Sequence, residues 1–302
     1  MKKLLSFLLL MTIPIGYAQQ VADTLYNPPL YKTEYAKKQG SVVFIDEGHH
    51  NFHTKDGRYR SFARLLERDG YQVKSFRGHF SRKKLNQGKI LVISNALNER
   101  NVQSWSKPVL SAFTDDEIRV LEEWVREGGS LFLIADHMPM GGAAKKLAAA
   151  FQFEFTDGFA LDSLSRVGYF NRHERSLQNN TITNGRSEQE RVNEIATFTG
   201  QAFKIPEYAK PILILNERYV NKLPETAWNF TPDTPSHSVE GWSQGAYAPY
   251  GRGRIVFFGE AAMFSAQLAG SDMRKMGMNR EDAKDNHKLL LNIIHWLDFK
   301  MD

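Results

Sequence analysis

Short apolar runs alternate with amphipathic stretches from Gly40 to the end of the chain. Continuous runs of Val, Ile, Leu and Phe are typical of strands that a parallel sheet buries on both faces. They predict strands at residues 41–45, 89–94, 130–135, 211–215 and 254–259. Residues 71–76 are a weaker candidate, second in chain order.

Helical spacing of apolar residues occupies the stretches between these runs. It predicts helices at residues 58–69, 114–127, 143–151 and 285–299. Thr114 and Glu117 form a capping box at the start of the second helix, and Gly128 and Gly129 end it. Strands that alternate with helices predict an α/β fold whose mainly parallel sheet is covered by helices on both faces.

Two polar stretches interrupt this rhythm. Residues 156–210 and 217–250 are rich in Asn, Thr, Pro and Gly, and we expect them to be insertions over the sheet without a core of their own. Residues 19–39 are predicted to form a poorly ordered lead-in that packs loosely on the surface. The remainder, residues 40–302, is therefore expected to be a single α/β domain.

The N-terminus has the three parts of a secretory signal peptide. Met1-Lys2-Lys3 is charged, residues 4–15 are mostly apolar, and Gly16-Tyr17-Ala18 places small residues at the cleavage positions. Cleavage after Ala18 predicts a periplasmic or secreted protein with no transmembrane segment in the mature chain. The alternative is an uncleaved amphipathic N-terminus or a short anchor, although the apolar run is short for a membrane span.

The amino-acid composition limits which metal ligands and which binding partners are expected. The 302 residues include no Cys, so a bound metal would take His, Asp, Glu or Asn as ligands. The formal net charge is +5, and two of the positive charges lie in the predicted signal peptide. The most basic local run, residues 82–84, is too short to suggest a nucleic-acid partner. The sequence defines no oligomeric state.

Polar residues directly follow the predicted strands. In open α/β sheets, ligands bind at the carboxyl ends of the strands, so these residues are the candidates for a site. The catalytic candidates are Asp46, Asp136, His137 and Glu260. The candidates for binding a small-molecule or saccharide ligand are Asn51, Asn95, Met263 and Asn286.

Three of the nine histidines lie within residues 49–53. His49 and His53, together with His137, are candidate ligands of a divalent metal such as zinc or manganese. The alternative is a hydrogen-bonded polar network that orders the loops without metal. The same groups are also suited to acid–base chemistry, since a His beside a carboxylate can act as a general base.

Aromatic residues are frequent in the predicted loops. They are suited either to stacking on a sugar ring or to capping the core, and the sequence does not choose between the two. The residues concerned are Trp105, Trp228, Trp242, Tyr247 and Tyr250.

Several motifs resemble the class I glutamine amidotransferase-like superfamily. They are residues 46–49 (Asp-Glu-Gly-His), 69–71 (Asp-Gly-Tyr) and 124–137 (Trp-Val-Arg-Glu-Gly-Gly-Ser-Leu-Phe-Leu-Ile-Ala-Asp-His). Residues 253–264, Asn286 and residues 295–297 are more similar to an exported branch found in Bacteroidetes-type bacteria. The resemblance implies a flavodoxin-like three-layer sandwich with loop and strand insertions, and a site at the elbow after a central strand.

At that elbow the superfamily places a nucleophilic Cys, whereas this chain has Asp136 and His137. Glutaminase activity is therefore not expected, because the thiolate attacks the amide. Related exported branches resemble trehalose-utilisation-like proteins and modules of polysaccharide-degrading enzymes, which implies a carbohydrate ligand. We expect an exported hydrolase-like protein that acts on a saccharide or a related polar metabolite. The alternatives are a non-catalytic carbohydrate-binding module and an envelope interaction module.

Overall fold

The computed structural model describes residues 20–165 and 167–302, so the predicted signal peptide at residues 1–18 lies outside the described residues. Within them the chain is a mixed α/β protein. The strands are β1 (Gln20–Ala22), β2 (Val42–Asp46), β3 (Gln72–Phe76), β4 (Ile90–Ser94), β5 (Ser130–Ile134), β6 (Glu154–Phe155), β7 (Phe159–Asp162), β8 (Gly168–Asn171), β9 (Glu194–Thr197), β10 (Phe203–Lys204), β11 (Lys210–Ile214), β12 (Tyr219–Lys222), β13 (Ser236–Ser238), β14 (Ser243–Tyr250), β15 (Gly253–Phe258), β16 (Ala266–Ala269) and β17 (Arg274–Gly277). The helices are α1 (Arg60–Arg68), α2 (Arg82–Leu85), α3 (Glu99–Gln103), α4 (Asp115–Arg126), α5 (Met140–Ala150), α6 (Thr181–Asn184) and α7 (Asn286–Leu297).

Nine strands form the central sheet. Five of them run parallel in the order β3-β2-β4-β5-β15, and β14, β11, β10 and β6 extend the sheet with antiparallel pairing. The prediction of a large, mostly parallel sheet is confirmed. The predicted strand at residues 211–215 is present as β11, but it runs antiparallel to β14 instead of joining the parallel set.

Alternate side chains of the parallel strands enter two separate cores. One face of the sheet buries Val43 and Ile45 of β2 in a cluster that includes apolar residues of α1 and α7. The opposite face buries Phe44 of the same strand with residues of α4 and α5. This arrangement explains the continuous apolar runs, because a strand covered on both faces has no side that favours polar residues.

Local signals set the helix boundaries. The backbone N–H of Glu117 donates to Thr114 Oγ1 at 3.2 Å, and the N–H of Thr114 donates to Glu117 Oε2 at 3.1 Å, so the predicted capping box is confirmed. Helix α1 stops before Gly70, whose φ of 93° lies in the left-handed region that glycine adopts without strain.

Part of the segment before the first central strand belongs to a second, small sheet. Strand β1 pairs antiparallel with β16, and β17 completes a three-stranded sheet. Asp23, directly after β1, is buried, and its carboxylate accepts a hydrogen bond of 2.9 Å from Asn279 Nδ2. Pairing with β16 orders this segment, and the partner strand lies more than 240 residues away in the sequence.

The two polar stretches carry strands of their own. Strands β7, β12 and β13 form one small sheet, and β8 pairs with β9. Apolar side chains from these stretches, such as Phe170 and Tyr219, belong to the same buried cluster as the central sheet. They therefore share its core. No helix in the described part of the chain is long and apolar enough to cross a membrane.

Candidate active site

The parallel strands bring polar residues to one edge of the sheet. Asp46 ends β2 and Asn95 follows β4, while Asp136 and Glu260 each stand two residues beyond the ends of β5 and β15. Because these four strands are parallel, all four residues lie at the carboxyl-terminal edge. This is the edge at which α/β proteins bind ligands.

A cavity of about 250 Å³ opens at this edge. Its walls come from the strand ends, from the β1–β16–β17 sheet and from the insertions. The polar residues lining it are Gln20, His53, Asn95, Asp136, His137, Thr199, Glu260 and Gln267, and the apolar ones include Phe52, Trp105, Phe198 and Trp228. It thus combines several titratable groups with an aromatic wall.

Glu260 lies at the base of this cavity and is almost fully buried. Burial, and after it the negative charge of Asp136, raises the pKa of the Glu260 carboxyl well above its ordinary range. The backbone N–H groups of Met263 and Ala262 donate to its two oxygens at 2.9 Å and 2.7 Å and oppose this rise. They also hold the carboxyl group in one orientation.

Asp136 is positioned by the neighbouring strand end. Its backbone N–H donates to Asn95 Oδ1 at 2.9 Å, and the Asp136 carboxylate accepts the backbone N–H of His137 at 2.8 Å. The Asp136 side chain is only 13% exposed, and His137 Nε2 lies 4.0 Å from its Oδ1. A carboxylate held in this way can accept a proton from a group that enters the cavity.

The His137 ring has one defined tautomer. Its Nδ1–H donates to the carbonyl oxygen of Met138 at 2.7 Å, which leaves Nε2 as the acceptor. The ring stacks on Phe159 with centroids 4.3 Å apart, and the indole of Trp228 meets it edge-on at 4.7 Å. Packing and the hydrogen bond therefore hold the ring in place, and its Nε2 lies 4.0 Å from Asp136 Oδ1.

His53 enters the cavity as a neutral ring. Complete burial, with a smaller contribution from the charge of Arg58, lowers its pKa to about 3. Ser94 Oγ lies 3.2 Å from His53 Nδ1, and the ring packs against Tyr59 at 4.5 Å. His53 is thus a hydrogen-bonding group of the wall that stays uncharged at neutral pH.

Asp46 and His49 form a second polar cluster. His49 Nδ1 donates to Asp46 Oδ2 at 2.9 Å, and His49 Nε2 donates to Glu117 Oε1 at 3.0 Å. Burial by itself lowers the pKa of His49, but the hydrogen bonds and charges of the two carboxylates outweigh it and raise that pKa. Neither Asp46 nor His49 lines the cavity of about 250 Å³.

The structure divides the three histidines that the sequence suggested as metal ligands. His53 and His137 line the cavity, whereas both ring nitrogens of His49 bind carboxylates elsewhere. Among the described residues, one group of three or more His, Asp or Glu side chains brings ligand atoms within 4.8 Å of one another, and it consists of His49, His79 and Glu117. Glu117 Oε1 there accepts from both rings and from the Phe80 N–H, so hydrogen bonds already join its members.

The predicted ligand-binding residues have different surroundings. Asn95 lines the cavity, but Asn51 Nδ2 donates to Asp46 Oδ2 at 3.0 Å. Met263 contributes its backbone N–H to Glu260. Asn286 is fully buried and bridges backbone groups of Ala196 and Met263.

The sequence indicates other residues near the site only in part or not at all. Glu117 was interpreted only as a helix-capping residue, although its other carboxylate oxygen holds His49. Thr199 and Phe198 come from a polar insertion, where no hydrophobic pattern marks them. Trp228 and Trp105 were noted as loop aromatics, and both reach the cavity.

Comparisons with known proteins identify similar folds. No family model and no curated protein matches the sequence. The mmIFT52 N-terminal domain is 13% identical with a TM-score of 0.57, covering 85% of this chain and 97% of that chain. Similarity at this level of identity shows the fold alone.

Two further solved structures are similar to a lesser degree. A protein described as ThuA-like, from Bacteroides uniformis, is 12% identical with a TM-score of 0.48, covering 88% of this chain and 95% of its own. A GMP synthase protein from Thermoplasma acidophilum is 10% identical with a TM-score of 0.43, covering 86% and 94%. The structural neighbours thus include a ThuA-like protein and a GMP synthase component.

Proposed function

We propose that this protein is an exported hydrolase that cleaves a saccharide or a related polar metabolite with the carboxyl groups of Glu260 and Asp136. The observation that carries the proposal is the pairing of a buried Glu260, whose pKa is raised, with Asp136 in one cavity. A buried carboxyl group with a raised pKa is suited to the role of acid, and a second carboxyl group in the same cavity is suited to the role of base.

The proposed reaction moves one proton on each side of the bond that breaks. The Glu260 O–H donates its proton to the leaving oxygen, and the bond between that oxygen and the reacting carbon breaks. Water forms the new bond to carbon and gives its proton to the Asp136 carboxylate. Transfer of that proton to solvent and reprotonation of Glu260 restore the starting state.

His137 and His53 have supporting roles in this proposal. His137 Nε2 accepts a hydrogen bond from the attacking water or from a ligand hydroxyl, because Nδ1 carries the ring proton. Neutral His53 is a second hydrogen-bonding group on the wall. Asp46 and His49 act indirectly, by ordering the loop that leads from β2 to His53.

The strand order supports a finer description of the fold. The five parallel strands, numbered along the chain, lie in the order 2-1-3-4-5, which is the flavodoxin-like order. We propose that the chain is a flavodoxin-like three-layer sandwich and a branch of the glutamine amidotransferase-like superfamily that lacks the nucleophilic Cys. Asp136 and His137 would then occupy the elbow where that superfamily carries its nucleophile.

The proposal includes export from the cytoplasm. The charged start, apolar run and small residues before Gln19 support cleavage after Ala18. Protein recovered from the periplasm or the medium should begin at Gln19 on N-terminal sequencing. A sequence that begins at Met1 would contradict export through a cleaved signal.

The function is tested by turnover with a matched pair of variants. Wild-type protein is assayed on a panel of glycosides, esters and amides, with and without added zinc or manganese. On any substrate that turns over, Asp136→Asn should lower kcat about a hundredfold or more while the fold is retained, because the two side chains are nearly isosteric. The control is Asp233→Asn, at an exposed aspartate outside the cavity.

Each outcome of this assay has a defined meaning. Turnover that is lost in Asp136→Asn and retained in Asp233→Asn supports the hydrolase. Turnover that appears only with metal would assign the predicted divalent ion a part in water activation. No turnover on the whole panel, together with measurable glycan binding, would replace the hydrolase with the non-catalytic carbohydrate-binding module.

A further inference from the structure

A second cavity adjoins the candidate active site. Its volume is about 560 Å³, and Phe198, Thr199 and Trp228 line both cavities. The two cavities therefore share a wall, and the second one extends to the small sheet of β7 and β12. The volume is within the range of small-molecule sites, and the reaction proposed above does not use it.

Buried polar atoms without partners belong to residues that line this second cavity. Tyr219 is 4% exposed and Gln244 is 1% exposed. Neither Tyr219 Oη nor Gln244 Oε1 has a hydrogen-bond partner among the described residues. A buried polar group without a partner destabilises a folded protein, so such groups usually mark a place where a ligand or an ordered water completes the hydrogen bonds.

The remaining wall is aromatic and nearly neutral. Phe198, Trp228 and Phe230 present ring surfaces, and of the described lining residues Asp162 alone is charged. Asp162 is paired with Arg218, whose Nε lies 3.3 Å from its carboxylate. Ring faces and a carboxylate whose charge is already paired favour a neutral ligand, and hydroxyl groups above an apolar ring face suit both kinds of wall.

Trp228 is held at the junction of the two cavities by a strained backbone. Its φ of 66° lies in the left-handed region, which is unusual for a bulky residue. The indole packs edge-on against His137 at 4.7 Å and Phe159 at 4.8 Å. The surrounding aromatic contacts thus help to hold the Trp228 side chain on the wall that the two cavities share.

We propose that the second cavity is a subsite for a neutral, polyhydroxylated ring, the sugar unit next to the bond that is cleaved. This inference rests on the proposed function and extends it, because it defines the substrate as a saccharide of at least two units. Tyr219 Oη and Gln244 Oε1 would bind ring hydroxyls, and Trp228 would pack against the ring.

The test measures binding, so it does not depend on turnover. Calorimetric titrations of the wild-type protein use cellobiose, maltose and mannobiose, each compared with the methyl glycoside of its single unit. At least one disaccharide should bind about tenfold or more tightly than its single unit. Tyr219→Phe should lower the affinity for that disaccharide about three- to tenfold, which is the effect of losing one hydrogen bond. The affinity for the single unit should not change.

Stability measurements on the same variants separate a ligand contact from a structural one. Tyr219→Phe removes a hydroxyl that has no partner among the described residues, so the midpoint of urea unfolding should stay the same or rise. The control is Tyr208→Phe, which removes a hydrogen bond of 2.6 Å to the Phe151 carbonyl oxygen. That control should lower the midpoint without changing disaccharide affinity.

Equal affinity for single units and disaccharides, or disaccharide binding unchanged by Tyr219→Phe, would overturn the subsite. These results are distinguishable from failure of the hydrolase. Disaccharide preference without any turnover leaves the subsite in place and removes the proposed function. Turnover that does not depend on the number of sugar units would remove the subsite and leave the proposed hydrolase in place.

Discussion

Asn95 Oδ1 accepts a hydrogen bond of 2.9 Å from the backbone N–H of Asp136, and this contact joins the ends of two neighbouring parallel strands. Asn95 adopts a φ of 48°, a left-handed conformation that Asn tolerates better than most residues. Its carbonyl oxygen accepts a further bond from the Phe52 N–H, which leads to His53. One residue thus positions the backbone on both sides of the candidate active site.

Two substitutions separate the roles of Asn95. Asn95→Gly removes the bond to Asp136 but permits the left-handed backbone, whereas Asn95→Ala removes the bond and adds strain. We expect Asn95→Ala to be less stable than Asn95→Gly by about 1 kcal/mol in urea unfolding, and both to be less stable than wild type. Equal stability of wild type and Asn95→Ala would show that neither the hydrogen bond to Asp136 nor the left-handed backbone at residue 95 affects the free energy of unfolding.

The His49 cluster predicts a pH dependence of stability. The pKa of His49 is raised in the folded state, so its contribution is fully present below the unfolded pKa of about 6.5 and is lost as the pH rises through the folded pKa. The free energy of unfolding of wild type should fall there by at most about 1.4 kcal/mol per pH unit. His49→Gln should lack this part of the slope.

The control for this measurement is His173→Gln, at an exposed histidine outside the cluster. It should keep the wild-type slope. Urea unfolding between about pH 6 and pH 9 covers the relevant window, since it begins near the unfolded pKa of His. Parallel curves for wild type and His49→Gln would show that the imidazole between Asp46 and Glu117 does not titrate in this way.

Gly200 lies directly behind Glu260. Its φ is 137°, and a Cβ atom there would meet the Gly259 carbonyl oxygen at 2.3 Å and Glu260 Cβ at 3.0 Å. Gly200→Ala should therefore destabilise the protein by about 2 kcal/mol or more, because strain and overlap add. Gly241→Ala is the matched control, since its φ is 79° and a Cβ would meet no atom within 4 Å.

Gly241→Ala should lower the free energy of unfolding by about 1 kcal/mol, because it adds backbone strain without overlap. The midpoints of urea unfolding of Gly200→Ala and Gly241→Ala, measured side by side, give the difference in stability between the two variants. Similar losses in both variants would mean that the backbone behind Glu260 yields easily, which would weaken the argument that the carboxyl group is held in a fixed orientation.

The sequence predicted the elements with strong local signals. Apolar runs located the five parallel strands within one or two residues, and Thr114 with Glu117 located the start of α4. Strand β14 was missed, because Ser243–Tyr250 contains Gly245 and Pro249 and few large apolar residues. It is a strand because β15 and β11 pair with it, and Gly245 is required where the Phe258 ring approaches.

Only the site residues that directly follow strands of the central sheet could be predicted from the sequence. Asn95, Asp136 and Glu260 meet because they follow parallel strands, and strand ends are visible in the sequence. The contact between His49 and Glu117 spans 68 positions and depends on how α4 packs, which no local pattern encodes. The separation of His49 from His53 likewise depends on the turn after β2, so the spacing of the histidines did not define a shared metal site.

The proposed hydrolase depends on Glu260 donating the proton to the leaving group. The most direct test is the rate of sugar release by wild type and by Glu260→Gln on one glycoside, with Glu281→Gln, at an exposed glutamate, as the control. We expect a loss of about a hundredfold or more in kcat for Glu260→Gln and wild-type rates for the control. Equal rates for wild type and Glu260→Gln would rule out proton donation by Glu260.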